Sequence, residues 1–230
     1  MISLKSKPEA IFFDLGGTLL YPDYPFVKFE FLKHGKNLDE ETFLRAISIA
    51  GKRLDSFMKT TITTDSSRAP IYAKYILEEC GWTEKPEDFV ENIIVPRHKE
   101  VNFWNYLLPG TNELLEVLKT RCRIAIISNS DGRAEKKAIQ YGLINNLEFV
   151  IDSFIEGVEK PDPEIFLIAT NRMGLKPEKC MYVGDIFSID AVGAKNTGMI
   201  PVWIDRTKEQ EIEGVITIYS IFELKELMQI

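Results

Sequence analysis

The sequence predicts an α/β fold: a parallel β-sheet core with an all-helical subdomain inserted into it. Three observations point there. Short runs rich in Val, Ile and Phe are close to continuously apolar rather than alternating, as strands buried on both faces of a parallel sheet are. After about residue 105, helical patterns separate these runs, the order expected of strand–helix–strand crossovers. Between the first run and the second, about a hundred residues break the alternation and carry helical patterns only.

Taken along the chain, the first strand is "AIFFDL" (10–15), followed by Gly16, Gly17 and Thr18, a glycine pair suited to a tight turn. From Tyr21 to Trp104 four segments read as helices: "FVKFEFLKHGK", "DEETFLRAISIAGKRLDSFMK", "APIYAKYILEECG" and "PEDFVENIIVPRHKEV". "TTITTDSSRAP" (60–70) reads as a polar loop between two of them. Pro109 and Gly110 then start a helix over "GTNELLEVLKT", which leads into the strand "RIAIISNS" (123–130). A helix at 132–142, a strand "FVIDSF" (149–154) and a helix at 162–174 stopped by Gly174 come next. Two further strands, "CMYVGD" (180–185) and "MIPVWID" (199–205), precede a last helix, "SIFELKELM", where Ser220 and Glu223 have capping-box spacing. The expected division is therefore a discontinuous core, 1–20 with 105–230, and a helical insert, 21–104.

Composition narrows the function. Of 230 residues, 45% are apolar and 27% charged, proportions that build one sizeable core in a soluble globule. A formal charge of −7 argues against a nucleic-acid partner or an anionic membrane surface. It leaves room for an anionic substrate, because a metal and a lysine can reverse the field locally. Cys80, Cys122 and Cys180 are odd in number and have no CxxC spacing, which fits a reducing compartment without a disulfide frame. "MISLKSKPEAIFF" lacks a signal-peptide core and no run reaches membrane-span length, so a cytoplasmic location is expected. Nothing in the sequence decides between a monomer and a homodimer.

Open parallel sheets bind ligands beyond the carboxyl ends of their strands. The residues at those ends are Asp14, Ser128 with Asn129, and Asp185, while Lys160 precedes a helix in "KPDPEIF". Two carboxylates suit a hard cation such as magnesium. A hydroxyl, an amide and an ammonium suit the oxygens of a phosphoryl group, and an aspartate can attack phosphorus directly.

These segments together resemble the haloacid dehalogenase-like (HAD) hydrolases. "DLGGT" (14–18) is similar to that family's first motif except at its third position. Ser128 in "IAIISNS", Lys160 in "GVEKPDPEIF" and "GDIFSID" (184–190) match the second, third and fourth, in family order. The resemblance implies a Rossmann-like core whose insert, 21–104, is a helical cap, and a Mg2+-dependent phosphohydrolase acting on a small phosphorylated substrate. It makes Asp14 the nucleophile and a metal ligand, and the Gly16 carbonyl and Asp185 further ligands. Asp190 would orient a ligand or a bound water. Ser128, Asn129 and Lys160 would hold the phosphoryl group, and Thr18 would steady the Asp14 loop. The departure is Gly16, where family phosphatases carry a second aspartate as general acid and base. Such help is worth roughly 10²–10⁴ in rate, so alkyl phosphates should suffer most and acyl or aryl phosphates least. Two alternatives follow from the same residues: a catalytically weak phosphate-binding sensor, and a metal-independent 2-haloacid dehalogenase.

Overall fold

The computed structural model describes residues 7–209 and 211–230. The chain divides into two compact units, one made of the chain up to Leu19 with Leu107–Ile230, the other Leu20–Tyr106. In chain order the strands are β1 (Ala10–Phe13), β2 (Leu20–Pro22), β3 (Trp104–Leu107), β4 (Arg123–Ser128), β5 (Val150–Asp152), β6 (Cys180–Gly184), β7 (Ile200–Ile204) and β8 (Ile216–Ile218).

Six of them form one sheet in the order β5-β4-β1-β6-β7-β8, and every pairing is parallel. Parallel neighbours need crossovers, and the helices Thr111–Lys119, Ala134–Gln140 and Pro163–Met173 lie between the strands they connect. β1 sits at the centre, hydrogen-bonded to β4 on one side and β6 on the other. All four of its residues are fully buried, which is why the run "AIFF" shows no alternation. On one face Ala10, Phe12, Ala125, Ile127, Cys180 and Tyr182 pack against Ile165, Phe166, Ala169 and Met173 of the helix Pro163–Met173. That helix begins as the sequence suggests: Asp162 accepts the Glu164 N–H at 2.9 Å and Pro163 occupies the first turn.

The last strand, β8, escaped the sequence reading. It is a three-residue edge strand, half-buried, interrupted by Thr217, and so lacks the continuous apolar signature. The final helix is also different from expectation. A short 3₁₀ turn, Ile221–Glu223, leads into Leu224–Met228, and the Ser220 side chain does not cap it. Glu223 instead accepts the backbone N–H of Tyr219 at 3.1 Å, one residue out of capping-box register.

The second unit is not all-helical. β2 and β3 pair into a two-stranded ribbon formed by its first and last residues. Strands of three and four residues carry no readable period, and their pairing spans more than eighty residues, a separation no local pattern encodes. The rest is helical: Tyr24–Lys33, Glu40–Met58, Asp65–Glu79, and then Pro86–Phe89, Val90–Ile94 and Val95–Val101 end to end, the middle piece a π-type turn. Glu40–Met58 is the amphipathic member, burying Phe43, Leu44, Ile47, Ala50 and Leu54 at helical spacing. The segment 60–70 is only half a loop, because a helix starts at Asp65, where Ser67 accepts the Thr64 N–H at 2.9 Å. No helix among the described residues is long and apolar enough to cross a membrane.

Candidate active site

β1 delivers Asp14 to the carboxyl rim of the sheet. Its N–H donates to the Val183 carbonyl at 2.8 Å, so the ladder with β6 continues through Asp14 itself. The loop beyond closes by a hydrogen bond from Leu19 N–H to the Leu15 carbonyl, 3.0 Å. Within it Gly17 has φ +84°, and a Cβ there would collide with the Asp185 carboxylate. Glycine at 17 is therefore required twice, by its backbone conformation and by the close approach of an acid from the next strand. Gly184 has the second of these roles, since a Cβ on it would strike the Asp190 side chain.

Lys160 is the hub. Its side chain is 2% exposed, and its ammonium donates to Asp14 Oδ1 at 2.6 Å, to Asp190 Oδ1 at 2.7 Å and to the Tyr182 hydroxyl at 2.7 Å. Its peptide bond to Pro161 is cis. Asn129 clamps its backbone from both sides, Oδ1 accepting the Lys160 N–H at 2.8 Å and Nδ2 donating to the Lys160 carbonyl at 3.0 Å. The Asn129 side-chain amide thus holds the lysine in place, where the sequence expected it beside a phosphoryl group. Ser128, at the end of β4 and 3% exposed, donates among the described residues a long 3.3 Å hydrogen bond to the Asn129 carbonyl.

Asp190 uses both oxygens: Oδ1 accepts from Lys160 and from Tyr182 (3.0 Å), and Oδ2 accepts the Ile186 N–H at 3.0 Å. It is a positioning acid for Lys160 and for the loop that carries Asp185. Thr18, expected to steady the Asp14 loop, is fully buried, but its hydroxyl has no hydrogen-bond partner among the described residues. The loop is held by backbone instead. Two contributors went unread in the sequence. Tyr182, within β6, reaches Lys160, and Trp203, in β7, donates its indole N–H to the Asp185 carbonyl at 2.9 Å. The available signal was a polar-tipped aromatic inside an otherwise apolar strand, since a buried hydroxyl or indole N–H needs a partner.

Burial dominates the electrostatics. It pushes the Asp14 carboxyl up from 3.8 to about 7, against the pull of the Lys160 ammonium and with help from Asp190. Burial would lower Lys160, but the Asp14 and Asp190 carboxylates outweigh it and raise that pKa above the usual lysine value. Burial and then Asp190 hold the Tyr182 phenol well above its ordinary range.

A divalent cation fits this donor set. Asp14, Asp185 and Asp190 are all buried, and each offers a carboxylate oxygen within 4.8 Å of the others. Three buried acids face one ammonium here, and oxygen-only donors suit magnesium. Asp14 and Asp185 are the ligands the geometry offers first, because Asp190 is already engaged twice over. Gly16 lies in the loop between Asp14 and Gly17, where the sequence placed it.

Residues 8–198 match the model of the haloacid dehalogenase-like hydrolase family. The glyceraldehyde 3-phosphate phosphatase of Pyrococcus furiosus is 28% identical over 165 residues, 71% of this chain and 69% of that one. The protein of the same name from Methanopyrus kandleri is 40% identical over 89 residues, 39% of this chain and 38% of that one. Among solved structures, the HAD-hydrolase YfnB from Bacillus subtilis, bound to magnesium, superposes with a TM-score of 0.64 at 19% identity, covering 98% of this chain and 100% of that one. A 2-haloacid dehalogenase from Pseudomonas syringae pv. Tomato DC3000 superposes at 0.58 and 19%, covering 96% of this chain and 98% of that one. At such identities the structural likeness establishes the fold alone.

Proposed function

Because the chain belongs to the haloacid dehalogenase-like hydrolases, we propose that it is a magnesium-dependent phosphohydrolase acting on a small phosphorylated metabolite through an aspartyl-phosphate at Asp14. The observation that carries this reading is the Lys160 ammonium, buried and 2.6 Å from Asp14 Oδ1, beside a second buried acid at Asp185. A bound magnesium would supply charge neutralisation for the incoming phosphate.

The rest is done by the chain. Lys160 binds Asp14 Oδ1 and keeps the carboxyl oriented for attack on phosphorus. Attack forms the Asp14–phosphorus bond and breaks the bond from phosphorus to the leaving oxygen. Water then hydrolyses the acyl phosphate, returning the carboxylate and releasing phosphate. Ser128 has hydrogen-bonding capacity left to meet a phosphoryl oxygen, since its one bond in the site is long.

Gly16 offers no side-chain acid to the leaving oxygen, which favours acyl and aryl phosphates. The names of the archaeal relatives point instead to glyceraldehyde 3-phosphate, an alkyl phosphate that would need its leaving-group proton from elsewhere than residue 16. Both belong in one panel, assayed with and without magnesium. Asp14→Asn is expected to abolish turnover, and Asp185→Asn to raise the magnesium concentration needed for half-maximal rate. Wild-type rates on an aryl phosphate in Asp14→Asn would refute the nucleophile assignment. Halide release from 2-chloropropionate without metal is the contrasting outcome. It is disfavoured because Asp185 stands buried beside Asp14, an arrangement suited to a cation.

A further inference from the structure

We propose that Tyr182 is a positioning residue for the reaction, holding the Lys160 ammonium in register with Asp14. The inference rests on the phosphoryl-transfer reading of the same site. An ammonium has three protons to donate, and Lys160 has three partners at hydrogen-bonding distance: Asp14, Asp190 and Tyr182, at 2.6, 2.7 and 2.7 Å. Two of these are carboxylates that compete for the same cation. The third is neutral, and its contact sets where between them the ammonium sits.

The hydroxyl can serve as a fixed point because it is anchored independently. Having accepted from Lys160, it has its own proton to place, on the Ile127 carbonyl at 3.2 Å or on Asp190 Oδ1 at 3.0 Å. Ile127 is the residue before Ser128 in β4, so the tyrosine ties the lysine to the backbone that carries the serine. The ring is fully buried and meets Phe166 edge-on at 5.1 Å between centroids. Without the hydroxyl, the ammonium would keep two charged partners, one just past β1 and one in the helical turn Phe187–Ala191, and lose the contact that balances them. The expected consequence is displacement of Nζ along the Asp14–Asp190 line, which misaligns the nucleophile without emptying the site.

Tyr182→Phe removes one oxygen and keeps the ring. With an aryl phosphate and saturating magnesium, kcat should fall about 10-fold or more while KM stays within about 2-fold, since small misplacements of reacting groups are costly. A second readout is independent of turnover. The rise in melting temperature given by magnesium with beryllofluoride, a phosphoryl mimic, should be smaller in the variant than in wild type. Met173→Ala, in the same core cluster, is the packing control and should lower the melting temperature while leaving kcat near wild type.

An unchanged kcat in Tyr182→Phe, a change confined to KM, or an equal loss in Met173→Ala would each overturn the positioning role. A wild type inactive on the whole panel would overturn the phosphohydrolase reading and this inference with it. Should Tyr182→Phe fail to fold, Tyr182→Gln, which keeps an acceptor for Nζ, is compared with Tyr182→Leu. Higher kcat in the glutamine variant supports the role, and equal rates overturn it.

Discussion

Asp14 is held in an environment that does not suit its charge. Its pKa, 3.8 in an unstructured chain, is raised by burial to about 7 in the fold. Between those values the folded protein keeps a proton that the unfolded chain has released, so this residue's contribution to stability is lost as pH rises from about 4 through 7. Metal-free Asp14→Asn, which has no such proton to lose, should therefore melt above metal-free wild type at pH 8, with the gap closing toward pH 4. Melting curves in chelator across that range test it, and a gap independent of pH would mean that Lys160 fully compensates the buried charge. The sequence placed Asp14, Lys160 and Asp185 together because each stands at a strand end or helix start that the apolar pattern marks. It could not assign the partners of Asn129 and Thr18, because the partner a side chain chooses depends on distances of a few tenths of an ångström.

At the level of elements, the two ends of the inserted unit are joined by one acid. Asp23 caps the helix Tyr24–Lys33 through Phe26 N–H at 3.3 Å, and its Oδ2 accepts from Arg97 at 2.8 and 3.1 Å and from Asn105 at 3.0 Å. Its own N–H donates to the Phe103 carbonyl at 2.8 Å, beside the β2–β3 ribbon. Three segments thus converge on Asp23, whose side chain is 8% exposed. Asp23→Ala leaves the Arg97 guanidinium and the helix N-terminus without that acceptor, and should cost about 2–3 kcal/mol. Urea unfolding is the measurement, and a loss below about 0.5 kcal/mol would class the cluster with ordinary surface ion pairs. The helices of this unit were legible from their 3.6-residue spacing, best in Glu40–Met58, whereas its ribbon and the Asp23 cluster join residues some eighty positions apart.

For the whole molecule, the arrangement of acids predicts that metal and fold are linked. A cation that binds only the folded state stabilises it by about 2.7 kcal/mol at a hundred times its dissociation constant. Magnesium should accordingly raise the melting temperature of the wild type. Gly17→Ala should abolish that rise, because the new methyl group would occupy the position of the Asp185 carboxylate from a backbone at φ +84°. Comparing melting temperatures in magnesium and in chelator decides the matter, and an undiminished shift in Gly17→Ala would place the cation elsewhere.

What the sequence determined unaided was the succession of buried strands and crossover helices, the place of the insertion, and which polar residues end the buried strands. Those properties are local, written in runs of apolar residues and in the residue types that terminate them. The tertiary structure decided the strand order β5-β4-β1-β6-β7-β8, the pairing of the insert's two ends, and the meeting of Tyr182 with the Lys160 ammonium. Each of these is a contact between distant parts of the chain, set by which buried donors and acceptors can satisfy one another once water has been excluded.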